Sequence, residues 1–231
     1  MLKVLATGPL ALLLTMGFAQ AADAPHVLPA PAVDAPAVHA PGARTAVFSG
    51  GCFWGVQGVF EHVKGVTRTV SGYTGGHVVN PNYEQVSSGD TGHAESVQVT
   101  FDPAQVSYGK LLRIFFSVAL DPTQKDRQGP DWGSQYRSEL FVDGPEQKRI
   151  ATAYVAQLDA AHAFSRPIAT RIDPAGPFYP AEAYHQHYLD LHPDAAYIVI
   201  NDLPKVQALR TLFPEWWQPA PAKVGKLASG D

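Results

Sequence analysis

The sequence predicts a two-layer α/β fold with a mostly antiparallel sheet. Three observations support this prediction: short runs that alternate apolar and polar residues, segments with apolar residues at helical spacing, and turns rich in glycine or proline between them. The chain has 231 residues, 45% of them hydrophobic, so a single domain can bury a sizeable core. The predicted elements follow the order β-α-β-β-α-β and then α-β. This is the split β-α-β order of ferredoxin-like folds.

The first half of this core is predicted to contain three strands and one helix. Residues 45–48 form a short β run that ends at glycines, and residues 66–73 form a second strand. Between them, residues 53–63 have the apolar spacing of a helix, at Val56, Val59, Phe60 and Val63. A loop rich in Gly, Asn, Ser and Asp is expected over residues 74–92. Residues 95–101 then alternate as a strand with one buried face.

The second half is predicted to contain two helices and two strands. Residues 108–119 and 145–163 have helical patterns, and the second begins with a proline near its first turn. Residues 138–142 and 168–172 are the predicted strands, and residues 121–135 form a polar, turn-rich segment. Pro, Tyr and His are frequent after the last strand, so we expect a long irregular C-terminal wrap around the core.

The ends of the chain differ from this core in composition. Residues 1–21 have a lysine, a short apolar run and an Ala-Gln-Ala site, which together predict a cleaved signal peptide rather than an uncleaved membrane anchor. Residues 22–43 are mainly Ala, Pro, Val and Asp, so we expect an unpacked, semi-extended linker. The folded domain is expected over residues 44–217, followed by a loose tail at residues 218–231.

Charge and cysteine content exclude several classes of protein. The chain has 17 Lys and Arg residues and 21 Asp and Glu residues. The resulting net charge of −4 disfavours nucleic-acid binding through a basic face. The sequence has one cysteine, which excludes an internal disulfide, a Cys-x-x-Cys redox pair and a cysteine-rich zinc site.

That cysteine lies in the most informative stretch of the sequence. Residues 49–55 read SGGCFWG, so a strand ends, two glycines turn the backbone, and Cys52 begins a helix. Free N–H groups and the helix dipole favour a thiolate, so a lowered pKa and a nucleophilic role are expected for Cys52. The alternative is that Cys52 is a small buried hydrophobic residue. Phe53 and Trp54 are either core aromatics or the walls of an apolar substrate pocket.

Three further segments have side chains suited to chemistry. Glu95 lies where a long loop enters an apolar strand, and partial desolvation would raise its pKa enough for proton donation near neutral pH. Tyr83 lies in a loop, and Asp131 precedes Tyr136 and Arg137 in another. Taken singly, Glu95 is better explained as an ordinary strand-edge glutamate, and the loop with Asp131 is also compatible with a turn that contains a surface ion pair.

Together these blocks make the sequence recognisable. Residues 51–55, GCFWG, resemble the signature of the A-type peptide methionine sulfoxide reductases. Further blocks resemble that family in family order, at residues 71–76, 80–83, 92–95, 121–124, 131–138 and 184–186. The resemblance extends over roughly residues 46–217, and it implies reduction of methionine sulfoxide in proteins, and also of the free amino acid.

The resemblance implies a role for each residue of the chemical step. Cys52 would attack the sulfoxide sulfur, and Glu95 would protonate the sulfoxide oxygen. Tyr83 and Tyr136 would hydrogen-bond that oxygen. The products would be methionine and a cysteine sulfenic acid.

The same resemblance implies how the substrate is held. Phe53 and Trp54 would hold the ε-methyl group and help to select the S epimer at sulfur. Asp131 would orient the main-chain amide of the substrate.

The sequence departs from the family where the enzyme is regenerated. Family members commonly carry further cysteines near the C-terminus, whereas residues 202–231 contain none and position 87 is Ser87. Recycling is therefore expected to use an external thiol, which could be thioredoxin-like, glutaredoxin-like or small, with no bound cofactor and no metal. The expected partners are oxidised proteins and a thiol-donor protein. We expect no nucleic acid and no stable membrane insertion, a monomer, and export to a bacterial periplasm.

Four other functions compete with this interpretation. A cysteine hydrolase or acyltransferase would pair Cys52 with His93 or His185. A thiol peroxidase would use Cys52 alone, and a metal-binding module would use His185, His187 and His192. The fourth is a non-enzymatic carrier of oxidised proteins.

Overall fold

The structure is a computed structural model that describes residues 23–36 and 42–222. The predicted signal peptide lies outside the described residues, as do residues 22 and 37–41 of the predicted linker and residues 223–231 of the predicted tail.

The described residues contain eight strands and six α-helices. The strands are β1 (Arg44–Gly50), β2 (Val66–Thr74), β3 (Ala94–Phe101), β4 (Arg127–Gln128), β5 (Asp131–Trp132), β6 (Ser138–Val142), β7 (Arg171–Pro174) and β8 (Tyr179–Pro180). The α-helices are α1 (Phe53–Glu61), α2 (Tyr83–Ser87), α3 (Tyr108–Ile114), α4 (Gly144–Ala160), α5 (Tyr188–Leu191) and α6 (Leu203–Leu212). Two π-helical turns cover Phe115–Ala119 and Ile198–Asp202, and two 3-10 turns cover Ser134–Tyr136 and Ala183–His185.

One six-stranded sheet organises the domain, in the order β7-β6-β1-β3-β2-β8. All neighbouring strands are antiparallel except β6 and β7, which are parallel. Because α1 connects β1 to β2, β3 lies between the two strands that flank this helix. The predicted α/β class and mostly antiparallel sheet are confirmed, and β7 and β8 extend the sheet at its edges.

Aromatic rings pack α1 and the π-helical turn against the sheet. Phe48 of β1 contacts Phe60 of α1 and Phe115 at ring-centroid distances of 4.6 and 5.2 Å. All three rings are fully buried. Removing this much apolar surface from water stabilises the fold and fixes where β1 ends and α1 begins.

The C-terminal part of the chain is more regular than the sequence predicts. The π-helical turn Ile198–Asp202 continues into α6, where an irregular wrap was expected. Ile198, Leu209 and Phe213 are almost fully buried, so this helical segment packs one apolar face on the domain. The expectation of an irregular wrap is therefore wrong for residues 198–212.

The expectation of an unpacked linker is also wrong for residues 23–36, which we call the N-terminal strap. Leu28 is 1% exposed, and its carbonyl accepts a hydrogen bond from Arg113 Nε at 2.7 Å. The carbonyl of Pro29 accepts from the Tyr154 hydroxyl at 2.9 Å. Prolines cannot donate to a sheet, but their carbonyls remain free to accept side-chain donors. The strap therefore binds the domain through helix side chains rather than through a β ladder.

The expectation of a loose tail is wrong for residues 218–222. The backbone N–H of Gln218 donates to the His62 carbonyl at 2.8 Å, and that of Ala222 donates to the Glu61 carbonyl at 2.8 Å. Ala222 is buried. These residues therefore pack against the end of α1.

Candidate active site

Cys52 lies between the end of β1 and the first residue of α1. Gly51 precedes it with φ of +91°, in the region that favours glycine, and a Cβ there would lie 2.5 Å from Cβ of Gln128. Both facts explain the glycine before the cysteine. Cys52 is 8% exposed, so its thiol lies in a closed environment at the N-terminus of α1.

Burial raises the pKa of the Cys52 thiol well above its usual range, and the Glu95 and Asp202 carboxylates raise it further. The Trp54 backbone N–H and the Lys205 ammonium act in the opposite direction. The lowered pKa expected from the helix N-terminus is therefore wrong, because one N–H group offsets only part of the cost of removing a thiolate from water.

Glu95 lies near the start of β3 and is 2% exposed. Its Oε2 accepts a hydrogen bond from the Phe53 backbone N–H at 3.0 Å, in the residue that follows Cys52. Burial raises the pKa of Glu95 to about 8, with contributions from the Asp131 and Asp202 charges. The carboxyl is therefore mostly protonated at neutral pH, as the sequence predicts.

Tyr83 and Tyr136 supply hydroxyl groups from two other elements. Burial raises the pKa of Tyr83 to about 12, and the charges of Glu95 and Cys52 contribute. Burial also raises the pKa of Tyr136, and the next contributions come from Glu95 and Tyr83. Both hydroxyls keep their protons at neutral pH and remain hydrogen-bond donors. We call Glu95, Tyr83 and Tyr136 the acid cluster.

Glu182 fixes the position of Tyr83. Its Oε1 accepts the Tyr83 backbone N–H at 2.8 Å, and its Oε2 accepts the Tyr73 hydroxyl at 2.9 Å. Burial raises the pKa of Glu182, but the hydrogen bonds outweigh it, so that the net pKa is lowered and the group stays a carboxylate. Sequence reasoning missed this residue, which lies far along the chain from Tyr83.

The two aromatics after the cysteine differ in exposure. Phe53 is 1% exposed and belongs to the core, whereas Trp54 is half-buried. Trp54 stacks on Tyr188 with ring centroids 3.8 Å apart, and its Nε1 donates to His185 Nδ1 at 3.2 Å. These contacts fix the Trp54 ring beside the first turn of α1.

Asp131 lies in β5 and accepts a short hydrogen bond from the Tyr197 hydroxyl. Burial raises the pKa of Asp131, while the Tyr197 hydrogen bond and the Lys205 ammonium lower it. Asp131, Tyr197 and Lys205, which we call the cavity cluster, line a cavity of about 170 Å³ together with Cys52. Asp23 and Pro25 of the N-terminal strap also line this cavity, whereas no member of the acid cluster does.

Sequence reasoning missed Tyr197, Asp202 and Lys205, all from the segment expected to be irregular. Asp202 is fully buried, and its Oδ1 accepts a hydrogen bond from Lys205 Nζ at 3.0 Å. A Cβ on Gly55 would lie 2.1 Å from Asp202 Oδ1. The last glycine of the GCFWG stretch was therefore the available signal that a side chain from elsewhere packs there.

The histidines of the competing functions have other partners. The Nδ1 of His93 accepts the Gly76 backbone N–H at 3.1 Å, and its Nε2 lies 2.8 Å from the Val78 carbonyl. Burial lowers the pKa of His185, whose ring is therefore neutral, and Nδ1 of His187 lies 2.5 Å from Glu61 Oε1. Within residues 23–36 and 42–222, no group of three or more His, Cys, Asp or Glu side chains could hold a metal ion.

Arg137 does not form the surface ion pair that was considered for its loop. It is 5% exposed, and its Nε contacts Oε2 of Glu139 at 2.5 Å in the interior.

Among residues 23–36 and 42–222, no helix is long and apolar enough to cross a bilayer.

The fold and the site define an α/β protein with one buried cysteine in its candidate site, where the neighbouring groups include a protonated carboxyl group and two tyrosine hydroxyls. The family model of peptide methionine sulfoxide reductase matches residues 44–216. The chain belongs to the peptide methionine sulfoxide reductase family, whose members are oxidoreductases.

Individual relatives agree with this assignment. The chain is 56% identical over 185 residues to peptide methionine sulfoxide reductase MsrA 2 of Mesorhizobium japonicum, covering 80% of this chain and 95% of that protein. It is 49% identical over 191 residues to MsrA 2 of Synechocystis, covering 82% of this chain and 89% of that protein. Methionine sulfoxide reductase A of Corynebacterium diphtheriae superposes with a TM-score of 0.57 at 38% identity, over 67% of this chain and 77% of that one.

Proposed function

We propose that this chain reduces the S epimer of methionine sulfoxide, in proteins and as the free amino acid, by attack of Cys52 on the sulfoxide sulfur. The observation that carries the proposal is the protonated Glu95 carboxyl, with a pKa of about 8, in hydrogen-bond contact with the residue after Cys52. A nucleophile next to a neutral acid is what a thiol needs to take the oxygen from a sulfoxide.

The chemical step removes one oxygen atom from the substrate. Cys52 Sγ bonds to the sulfoxide sulfur, and the sulfoxide oxygen takes the Glu95 proton and the thiol proton and leaves as water. Water then attacks Cys52 Sγ, the bond between the two sulfurs breaks, methionine leaves, and the proton that is released returns to Glu95. Methionine sulfur gains two electrons, and Cys52 loses two and becomes a sulfenic acid. The hydroxyls of Tyr83 and Tyr136 donate to the oxygen as negative charge develops on it.

The raised pKa of the Cys52 thiol suits this order of events. At neutral pH the free enzyme holds a proton on both Cys52 and Glu95. A neutral Glu95 does not repel a thiolate, and the proton that it gives to the sulfoxide makes the sulfur more electrophilic. The thiolate therefore needs to form only when substrate is bound.

Trp54 and Asp131 supply the binding part of the proposal. Trp54 is held beside the first turn of α1 by Tyr188 and His185, where it can contact the ε-methyl group, and the buried Phe53 ring packs on His185 next to it. Asp131, fixed by the Tyr197 hydroxyl, can accept the main-chain amide of the substrate. Methyl contact on one side and oxygen donors on the other define one configuration at sulfur.

Regeneration is proposed to use thiols from outside this sequence, which has one cysteine. A first external thiol displaces water from the sulfenic acid and forms a mixed disulfide, and a second thiol releases Cys52. The donor can be thioredoxin-like, glutaredoxin-like or a small thiol. The composition of residues 1–21 supports export, and we propose a bacterial periplasm as the destination.

Turnover of a methionine sulfoxide derivative with dithiothreitol tests this function. Steady release of methionine is expected, and no more than one methionine per chain without thiol, with an enzyme mass increased by one oxygen atom. Hydrolysis of esters without reductant would favour a cysteine hydrolase, and catalytic consumption of hydroperoxide alone would favour a thiol peroxidase. Either result, without sulfoxide reduction, would overturn the proposal.

A further inference from the structure

Asp202 and Lys205 form an ion pair that the proposed chemistry does not yet use. Asp202 closes the π-helical turn Ile198–Asp202, and Lys205 lies in the first turn of α6. Lys205 Nζ donates to Asp202 Oδ1 at 3.0 Å, and within the described residues Asp202 Oδ2 has no hydrogen-bond partner. A fully buried carboxylate with one unpartnered oxygen is costly, so a purely structural role explains it poorly.

The pair packs directly on the first turn of α1. A Cβ on Gly55 would lie 2.1 Å from Asp202 Oδ1 and 2.9 Å from Lys205 Nζ. Only a glycine leaves room for both groups beside the helix turn that begins with Cys52. Gly55 is therefore the point at which α1, the helix that follows Cys52, contacts the ion pair.

The two ends of the pair have different surroundings. Lys205 lines the cavity that also contains Cys52, and its side chain is 19% exposed. Asp202 does not line that cavity and is fully buried. The positive end thus faces the cavity and the negative end stays in the interior.

We propose that Asp202 and Lys205 are positioning residues for the Cys52–Glu95 couple. The Asp202 charge in the interior keeps the proton on Glu95, and the Lys205 ammonium, which Asp202 holds at the cavity beside Cys52, offsets the effect of that charge on the thiol and stabilises the thiolate when it forms. This inference rests on the proposed function, because that function requires a thiolate nucleophile and a neutral acid. It adds the reason why the proton stays on the carboxyl.

The electrostatics of the site agree with this division. Asp202 raises the pKa of Cys52 more than Lys205 lowers it, and Asp202 also raises the pKa of Glu95. The titratable and charged groups whose charges act within this couple and its tyrosine donors come from several elements: Glu95, Asp131, Asp202, Lys205, Tyr83, Tyr136, Tyr184 and Tyr197. Of these, Lys205 is the group that brings a positive charge, and Asp202 holds it there.

The test titrates Cys52 by its rate of alkylation with iodoacetamide between pH 6 and pH 11, followed by intact mass. The sequence has one cysteine, so alkylation reports Cys52 alone. The full chain is compared with Lys205→Met, Lys205→Arg and Asp202→Asn. Lys148→Met is the matched control, because Lys148 is exposed on α4 and outside the site.

The two ends of the pair should act in opposite directions. Lys205→Met should slow alkylation at pH 8 about tenfold, since one pKa unit is a tenfold change in thiolate, and Lys205→Arg should restore most of the rate because it keeps the charge. Asp202→Asn keeps the shape and one acceptor but removes a negative charge, so it should speed alkylation about tenfold. Lys148→Met should leave the rate unchanged.

Asp202→Asn should also shift the pH profile of sulfoxide reduction. Without the Asp202 charge the pKa of Glu95 falls, so the variant should lose reductase activity at a lower pH than the parent, although its thiol is more reactive. A purely structural defect would lower both activities together.

Changes of the same sign in Lys205→Met and Asp202→Asn, or none in either, would overturn the inference. If Lys205→Met does not fold, Asp202→Asn decides alone, and alkylation that is unchanged or slower in that variant rejects the inference. Alkylation requires no sulfoxide, so this result is separate from the proposed reductase activity, which fails if Cys52→Ser still reduces methionine sulfoxide.

Discussion

Glu95 of the acid cluster and Lys205 of the cavity cluster both lie against the first turn of α1, but the two clusters carry different charges. Glu95, Tyr83 and Tyr136 all have raised pKa values, so at neutral pH they are uncharged hydrogen-bond donors. The cavity cluster contains the Asp131 carboxyl and the Lys205 ammonium, and this lysine is paired with a buried carboxylate. Neutral donors suit a leaving oxygen, whereas fixed charges suit control of a thiol proton.

This contrast indicates that the acid cluster and the cavity cluster have different chemical roles. A carboxyl group that donates a proton near neutral pH needs a raised pKa. Burial away from positive charge raises the pKa of Glu95 in this way. A side chain that shifts the pKa of a neighbouring group must itself stay charged. In the interior of a protein, a charged side chain needs a partner of opposite charge. The Asp202–Lys205 pair satisfies that condition, and the acid cluster has no equivalent pair.

Replacing the Cys52 sulfur, on which both clusters act, should have the largest effect on activity. Cys52→Ser should lower sulfoxide reduction by more than about a thousandfold, because a hydroxyl has no adjacent base to ionise it at neutral pH. Methionine release in a dithiothreitol-coupled assay measures this. A residual rate above that level would show that neither cluster acts through Cys52.

Removing the carboxyl proton of Glu95 from the acid cluster should have the next largest effect. Glu95→Gln keeps the size of the side chain but cannot deliver a proton, so the single-turnover rate should fall about a hundred- to ten-thousandfold with KM nearly unchanged. The parent rate should be constant below about pH 8 and decrease above it, because the reactive form of Glu95 is the protonated one and its pKa is about 8.

That alkaline decrease should disappear in Glu95→Gln, which has no carboxyl to titrate. An unchanged single-turnover rate in the variant would move the general acid to another group, with Asp131 as the next candidate.

The geometry of both clusters around one sulfur should produce a strong preference between epimers. The S sulfoxide can place its methyl group at Trp54 and its oxygen at Tyr83 and Tyr136, whereas the R sulfoxide exchanges these positions and leaves buried donors unpaired. We expect a ratio of at least about a hundredfold in kcat/KM for the resolved epimers. Comparable values for the two would contradict this arrangement.

A change confined to the cavity cluster should be smaller and should affect binding more than chemistry. Tyr197→Phe removes the hydroxyl that Asp131 accepts, so the Asp131 carboxylate becomes freer to move. We expect KM for a peptide substrate to rise about tenfold, the scale of one hydrogen bond to a charged group, with kcat little changed. A fall in kcat at constant KM would place Tyr197 in the chemical step instead.

A matched variant tests whether this effect is specific. Tyr188→Phe removes a hydroxyl from the ring that stacks on Trp54 but keeps the stacked ring. It should leave KM within about twofold of the parent value, because the contact with Trp54 is through the ring face.

Several features were determined by the sequence itself. The longer strands and helices from residue 44 to 174 follow from apolar periodicity, which is a local property, and their predicted bounds differ from the structure by a few residues, whereas α2, β4 and β5 form inside segments predicted as loops or turns. Cys52 and Glu95 were identifiable because a glycine turn and a loop-to-strand junction mark them in the chain. The raised pKa of Glu95 follows from that junction, since an apolar strand buries whatever begins it.

Tertiary structure alone decided the rest, because burial and charge proximity depend on residues far apart in the chain. The pKa of Cys52 rises since the whole domain excludes water from a thiol that its own helix would favour as a thiolate. The N-terminal strap binds the domain through donors of α3 and α4, which its proline-rich composition does not reveal. Lys205 reaches the cavity of Cys52 because α6 folds back onto α1, and Gly55 leaves space for the pair that holds it.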